Sequence, residues 1–189
     1  MRNILFINAC VRPGSRTRRL AEEVLGKLEG EIRELDLEKE QIQPLNLERL
    51  EERNAKAAAG DFAAPIFRYA LQFARADEIV LAAPYWDLSF PSMVKMYFEA
   101  VTVTGVTFRY TEEGNPEGMC RARRLLYVTT AGGPIGELNL GFDYVKGLAD
   151  TFYQIPDIQC IRLENLDLVG NDAEEMLREK IKEIRNLQL

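Results

Sequence analysis

Ile79-Val80-Leu81-Ala82-Ala83-Pro84-Tyr85-Trp86-Asp87-Leu88 is an unbroken apolar run that stops at a proline and opens into two aromatic rings and a carboxylate. An apolar segment of this length without alternation reads as a strand covered by helices on both faces, the habit of a parallel sheet. Two other segments repeat the pattern. Ile4-Leu5-Phe6-Ile7 leads into Cys10-Val11-Arg12-Pro13-Gly14-Ser15-Arg16-Thr17, and Leu125-Leu126-Tyr127-Val128-Thr129-Thr130 leads into Ala131-Gly132-Gly133-Pro134.

Between these strands the period changes from continuous to helical. Leu20, Val24, Leu25 and Leu28 make one helical face after the first strand. Asp61 is placed to cap a helix with apolar residues Ala63, Ile66, Phe67, Ala70, Leu71 and Ala74. Pro91 suits the first turn of a helix that buries Met93, Val94, Tyr97, Phe98 and Val101. Phe142, Val145, Ala149 and Phe152 mark another, and Asn171 or Asp172 starts the last, with Glu174 and Glu175 at capping-box spacing. The segment from Glu38 to Gly60 is polar and carries the charge run Glu48 to Arg53. Phe108 to Arg121 reads as a loop or hairpin insertion, with turn signals at Gly114-Asn115-Pro116 and Gly118.

Strands near Ile32–Leu37 and Ile158–Leu163 mix charges with apolar residues, as edge strands do. Five strands with the second and fifth outside fit the order 2-1-3-4-5, a flavodoxin-like doubly wound α/β sheet spanning residues 1–189 as a single domain. Its switch point lies between the first and third strands, where ligands bind beyond the carboxyl ends.

The 189 residues carry 24 basic and 30 acidic side chains, a net charge of -6 that argues against a general nucleic-acid binder. Arg12, Arg16, Arg18 and Arg19 form a local basic exception, read first as a solvated helix start. Cys10, Cys120 and Cys160 are odd in number and widely spaced, so a disulfide framework or zinc site is not expected and a cytoplasmic location is. No apolar run is long enough for a membrane span. Histidine is absent throughout, which removes Ser-His-Asp and Cys-His hydrolysis and imidazole acid–base chemistry. An enzyme with this composition would rely on a cofactor for its reaction.

Each loop suits one part of such a group. Ser15 and Thr17 offer hydroxyls at a helix start, where unpaired N–H groups and the helix dipole favour a phosphate. Tyr85 and Trp86 offer surfaces for a flat ring, and in the loop Pro84-Tyr85-Trp86-Asp87-Leu88 the backbone N–H groups after the proline can tune it. Thr130, Ala131, Gly132 and Gly133 let the backbone approach the ring's far edge closely. Read singly, these loops are equally an N-cap, a packing aromatic and a strand-to-helix turn. Cys10, in the first loop, reads as packing, because no group that would activate it is evident.

The segment Gly105–Glu112, GVTFRYTE, followed by Pro116-Glu117-Gly118, resembles FMN-dependent NADH azoreductases. Pro84-Tyr85-Trp86 with Pro91, Lys95 and Phe98 looks like the wider NAD(P)H quinone oxidoreductase family. The resemblance implies a homodimer with FMN at its interface, reducing quinones or azo compounds by ping-pong hydride transfer from NADH or NADPH. By position it assigns Ser15, Arg16 and Thr17 to the FMN phosphate, Tyr85 to Leu88 to the isoalloxazine, and Thr130 to Gly133 to its pyrimidine side. Azoreductases commonly carry a serine near Cys10, an asparagine at Asp87 and a histidine near Ile135. A single-electron carrier and a flavodoxin-like binding protein that has lost FMN are the alternative functions.

Overall fold

The structure, a computed structural model, describes residues 1–188. The chain passes through β1 (Asn3–Asn8), α1 (Arg16–Leu25), β2 (Glu31–Asp36), α2 (Leu37–Glu40) and α3 (Leu47–Ala58). A 3-10 turn at Pro65–Phe67 leads into α4 (Arg68–Arg75), β3 (Glu78–Ala82) and α5 (Ser92–Val101). Then come β4 (Phe108–Tyr110), β5 (Pro116–Gly118), β6 (Arg124–Thr130) and α6 (Leu140–Leu148). A π-helical turn at Ala149–Tyr153 precedes β7 (Asp157–Leu163) and α7 (Ala173–Asn186).

Five parallel strands lie in the order β2-β1-β3-β6-β7, the flavodoxin-like arrangement expected from strand composition. Alternate residues supply two separate cores, because successive side chains on a strand point to opposite faces. Ile4, Phe6, Val80, Ala82, Leu126 and Val128 pack beneath α1 and α7. Leu5, Ile7, Ile79, Leu81, Leu125 and Tyr127 pack beneath α4, α5 and α6. All strands run the same way, so the loops after β1, β3, β6 and β7 emerge at one end.

Local chemistry sets the helix boundaries. The Ser15 Oγ accepts from Arg18 N at 3.4 Å to start α1, and Asp172 Oδ1 accepts from Glu174 N and Glu175 N at 2.9 and 3.0 Å to start α7. Leu28 lies beyond the end of α1, and Pro91 is the residue just before α5 rather than within it. Asp61 does not cap a helix. Its carboxylate accepts from Lys56 Nζ at 2.8 Å, and the chain enters α4 through the 3-10 turn that Pro65 begins. The polar segment after β2 holds α2 and α3, and α3 buries none of its residues fully.

The insertion is a hairpin with Phe108 opposite Gly118 and Tyr110 opposite Pro116. The GVTFRYTE segment builds its base. Gly105 takes φ +87° with Phe62 where a Cβ would stand, and Thr107 Oγ1 donates to Val101 O at 2.9 Å, tying the loop to the end of α5. Phe108 packs on Phe152 with ring centroids 4.7 Å apart, and a Cβ on Gly118 would clash with the Tyr153 carbonyl. Among the described residues, no helix is long and apolar enough to cross a membrane.

Candidate functional site

The loops after β1, β3, β6 and β7 enclose a cleft of about 450 Å³. Arg12, Gly14, Ser15, Arg16 and Thr17 form one wall, Pro84, Tyr85 and Trp86 a second, and Thr130, Ala131 and Gly132 a third. The expected residues are thus brought together, except that Cys10, Asp87, Leu88 and Gly133 stand just outside the lining.

The first wall has the chemistry an anion site needs. Arg16 and Thr17 open α1, so their N–H groups have no preceding helical carbonyl to bond. The Ser15 oxygen accepts from the helix, and its hydroxyl lies within hydrogen-bond reach of the Cys10 thiol. Thr17 and Thr130 are buried, with their hydroxyl oxygens 2.6 Å apart, and this bond locks the helix start to the end of β6. Of the four arginines, Arg18 binds Glu34 and Glu22, and Arg19 binds Glu174. Arg12 forms no ion pair among the described residues and faces the cleft. Arg16 also lines it, with its Nη1 donating to Asp167 Oδ1 at 2.8 Å.

The aromatic wall ends in a two-residue hairpin turn. Trp86 N donates to Ser89 O at 3.1 Å and Ser89 N to Trp86 O at 2.8 Å, with Asp87 at φ 50° and Leu88 at φ 67° between them. Both central residues are left-handed, as a type I′ turn requires. Among the described residues, the N–H groups of Asp87, Leu88, Gly132 and Gly133 donate to no protein group. Tyr85 is fixed by its N–H to Thr130 O at 3.1 Å and its hydroxyl to Leu138 O at 2.9 Å.

The chain matches the flavodoxin-like fold family over residues 2–187. It belongs to that family. An FMN-dependent NADH:quinone oxidoreductase of Coprothermobacter proteolyticus is 33% identical over 199 aligned residues, covering 99% of this chain and 98% of that protein. FMN-dependent NADH:quinone oxidoreductase 2 of Clostridium acetobutylicum is 36% identical over 197, covering 98% and 97%. The crystal structure of an azoreductase from Bacillus anthracis str. Sterne superposes with TM-score 0.82 at 25% identity, covering 97% of both chains.

Within this flavodoxin-like protein, Leu88 is the strained position of the aromatic loop, since a side chain with a Cβ disfavours the left-handed region. Leu88→Gly is expected to raise the melting temperature by about 2–4 °C, from roughly 1 kcal/mol of relieved strain. Thermal denaturation checks it, and an unchanged or lower midpoint would contradict the turn geometry.

The three cysteines are largely shielded from water. Burial raises the Cys10 and Cys160 thiols to about 11 and Cys120 to about 12, far from the range of reactive thiolates. Cys10 packs below the first loop, with its Sγ 3.8 Å from Ala82 O.

Sequence reasoning missed the segment after β7. Leu166 and Asp167 line the cleft, and Leu166 N and Asp167 N donate to Ala131 O and Gly132 O at 3.2 and 2.8 Å. A Cβ on Gly132 would meet the exposed Asp167 carboxylate, which would have to swing aside and give up its bond to Arg16. Glu164 Oε2 accepts from Ile135 N at 2.5 Å and Gly136 N at 3.3 Å, fixing the loop beyond Gly133. The signal for Leu166 and Asp167 was their position past the carboxyl end of a fifth parallel strand.

Proposed function

We propose that this protein is an FMN-dependent oxidoreductase that takes a hydride from NADH or NADPH and reduces quinones or azo compounds in a ping-pong cycle. The observation that carries this reading is the cleft itself: an anion-binding helix start, an aromatic wall and a glycine-rich edge converge within about 450 Å³. That donor set fits FMN, with one end for a dianion and the other for a flat ring bearing acceptors.

In this reading Ser15, Arg16, Thr17 and Arg12 hold the phosphate, and the Thr17–Thr130 bond keeps that end in register with the ring end. Tyr85 and Trp86 pack along the ring. The free N–H groups of Asp87, Leu88, Gly132 and Gly133 are available to its acceptor edge, with Thr130 and Ala131 forming the backbone approach. Cys10 supports the first loop from below. FMN, when bound, supplies hydride acceptance and donation, so the residues of this histidine-free chain only place and polarise.

The chain acts as one domain and pairs with a second copy. Exposed Trp86, Leu88, Leu138 and Leu140 near the cleft support this, because an apolar cluster beside a binding site is the kind of surface a partner covers. Three free cysteines fit a reducing cytoplasm.

The test is anaerobic visible spectroscopy of protein reconstituted with FMN. The expected result is flavin absorbance that bleaches with NADH before any acceptor is present and returns on adding a quinone. Bound flavin that ignores both NADH and NADPH would support an electron carrier instead, and failure to bind FMN would overturn the reading.

A further inference from the structure

On the flank of the sheet near its β2 edge, α3 presents an unusual face inward. Arg49, Arg53 and Lys56, at helical spacing, are its half-buried residues along with Leu50 and Ala57. A surface helix ordinarily turns its apolar side inward and leaves arginines in water. Here Arg49 and Arg53, four apart and so stacked on one side, line a pocket of about 350 Å³ between α3 and α5. Its other walls include Ile42 before α3, Ile66 in the 3-10 turn, and Met96 and Ala100 on α5.

The guanidinium of Arg53 has five donors and uses one, from Nη1 to Glu99 O at 3.1 Å. Arg49 makes no side-chain hydrogen bond or ion pair among the described residues. The nearby carboxylates do not neutralise them. Glu40 accepts from Arg68 Nη2 at 2.7 Å and from the Tyr69 hydroxyl at 2.9 Å, and Glu52 is exposed at the rim. Burial also pulls the Arg53 pKa downward, a cost that a bound anion would offset.

We infer that this pocket binds a small amphiphilic anion: a monocarboxylate held by Arg49 and Arg53, with a short apolar body against Ile42, Ile66, Met96 and Ala100. The geometry matches what such a ligand requires. Its volume lies in the range of small-molecule pockets, roughly 300–1,000 Å³, and its walls set the apolar side chains of Ile42, Ile66, Met96 and Ala100 beside a charged side made by Arg49, Arg53, Arg68, Glu40 and Glu52. Paired guanidinium forks suit a carboxylate's two oxygens better than a single point charge does. None of these residues lines the cofactor cleft.

Isothermal titration with octanoate, with octanol as the uncharged control, tests the inference on the full-length protein. Saturable one-to-one binding of octanoate is expected, with octanol much weaker. Arg49→Gln leaves the Arg53–Glu99 bond in place and is expected to weaken octanoate binding at least about tenfold, the loss of a charge-assisted hydrogen bond. Ala100→Trp, which fills the apolar end, is expected to abolish it. No saturable octanoate binding, equal affinity for octanol, or an unchanged dissociation constant in Arg49→Gln would each overturn the proposal. An FMN titration of the same samples reports separately on the cofactor cleft.

Discussion

Ser15→Asp is expected to weaken FMN binding by at least about a hundredfold while the fold remains as stable as before. Ser15 caps α1, and aspartate caps a helix as well as serine does. Its charge at a helix start is also favourable to the dipole, so the melting temperature should hold or rise slightly. The same charge lies where the proposed phosphate binds. Two like charges about 4 Å apart repel by roughly 4 kcal/mol at an effective dielectric of 20. A hundredfold needs only about 2.7 kcal/mol, which leaves room for screening and for rearrangement of Arg12 and Arg16. Riboflavin lacks the phosphate and should bind the variant within a few-fold of the wild type. Fluorescence titration with both ligands checks this. If FMN and riboflavin weaken equally, the phosphate is not at the start of α1.

Phe73→Ala should cost about 3–5 kcal/mol of stability. Phe73 is fully buried on α4 and meets Phe98 of α5 at 6.3 Å and Tyr153 of the π-helical turn at 4.8 Å between ring centroids. Three elements share that ring, so none can move inward to fill the space without leaving another. For a chain of this length, a melting temperature lower by roughly 6–20 °C follows. The residue lies away from the cleft, so FMN affinity below the new transition should be nearly unchanged. A loss under about 1 kcal/mol would mean that the site collapses and that α4 is held by other contacts.

The strands of the sheet centre were plain in the sequence because burial on both faces leaves no room for polar residues. Ile4–Ile7, Ile79–Ala83 and Leu125–Val128 could hardly be anything else. From those strands the order and the end bearing the ligand loops followed. Helix α3 was obscured for the opposite reason. It carries few large apolar residues, and its half-buried side holds Arg49, Arg53 and Lys56 as much as Leu50 and Ala57, so the segment reads as polar. Asp61 was misleading because a capping residue type is shared by turns and ion pairs, and here Lys56 claims it.

In the site, the hydroxyl, aromatic and glycine loops were legible from residue type. The contribution of Glu164 was not, since a carboxylate binding the amides of Ile135 and Gly136 across the fold leaves no local pattern. Asp87 lies at the exposed tip of the turn with a left-handed backbone, which the residue type alone did not reveal.

The docking of the β4–β5 hairpin bears on how this fold can diverge. Gly118 sits hard against the Tyr153 carbonyl and Phe108 against Phe152, so the hairpin and the π-helical turn are moulded to each other. The insertion is therefore not an ornament that a lineage can shed alone. Its loss would bare one side of the aromatic cluster beneath it, and any larger residue at position 118 would have to arrive together with a reshaped turn. Hairpin and turn should be inherited, and altered, as a pair.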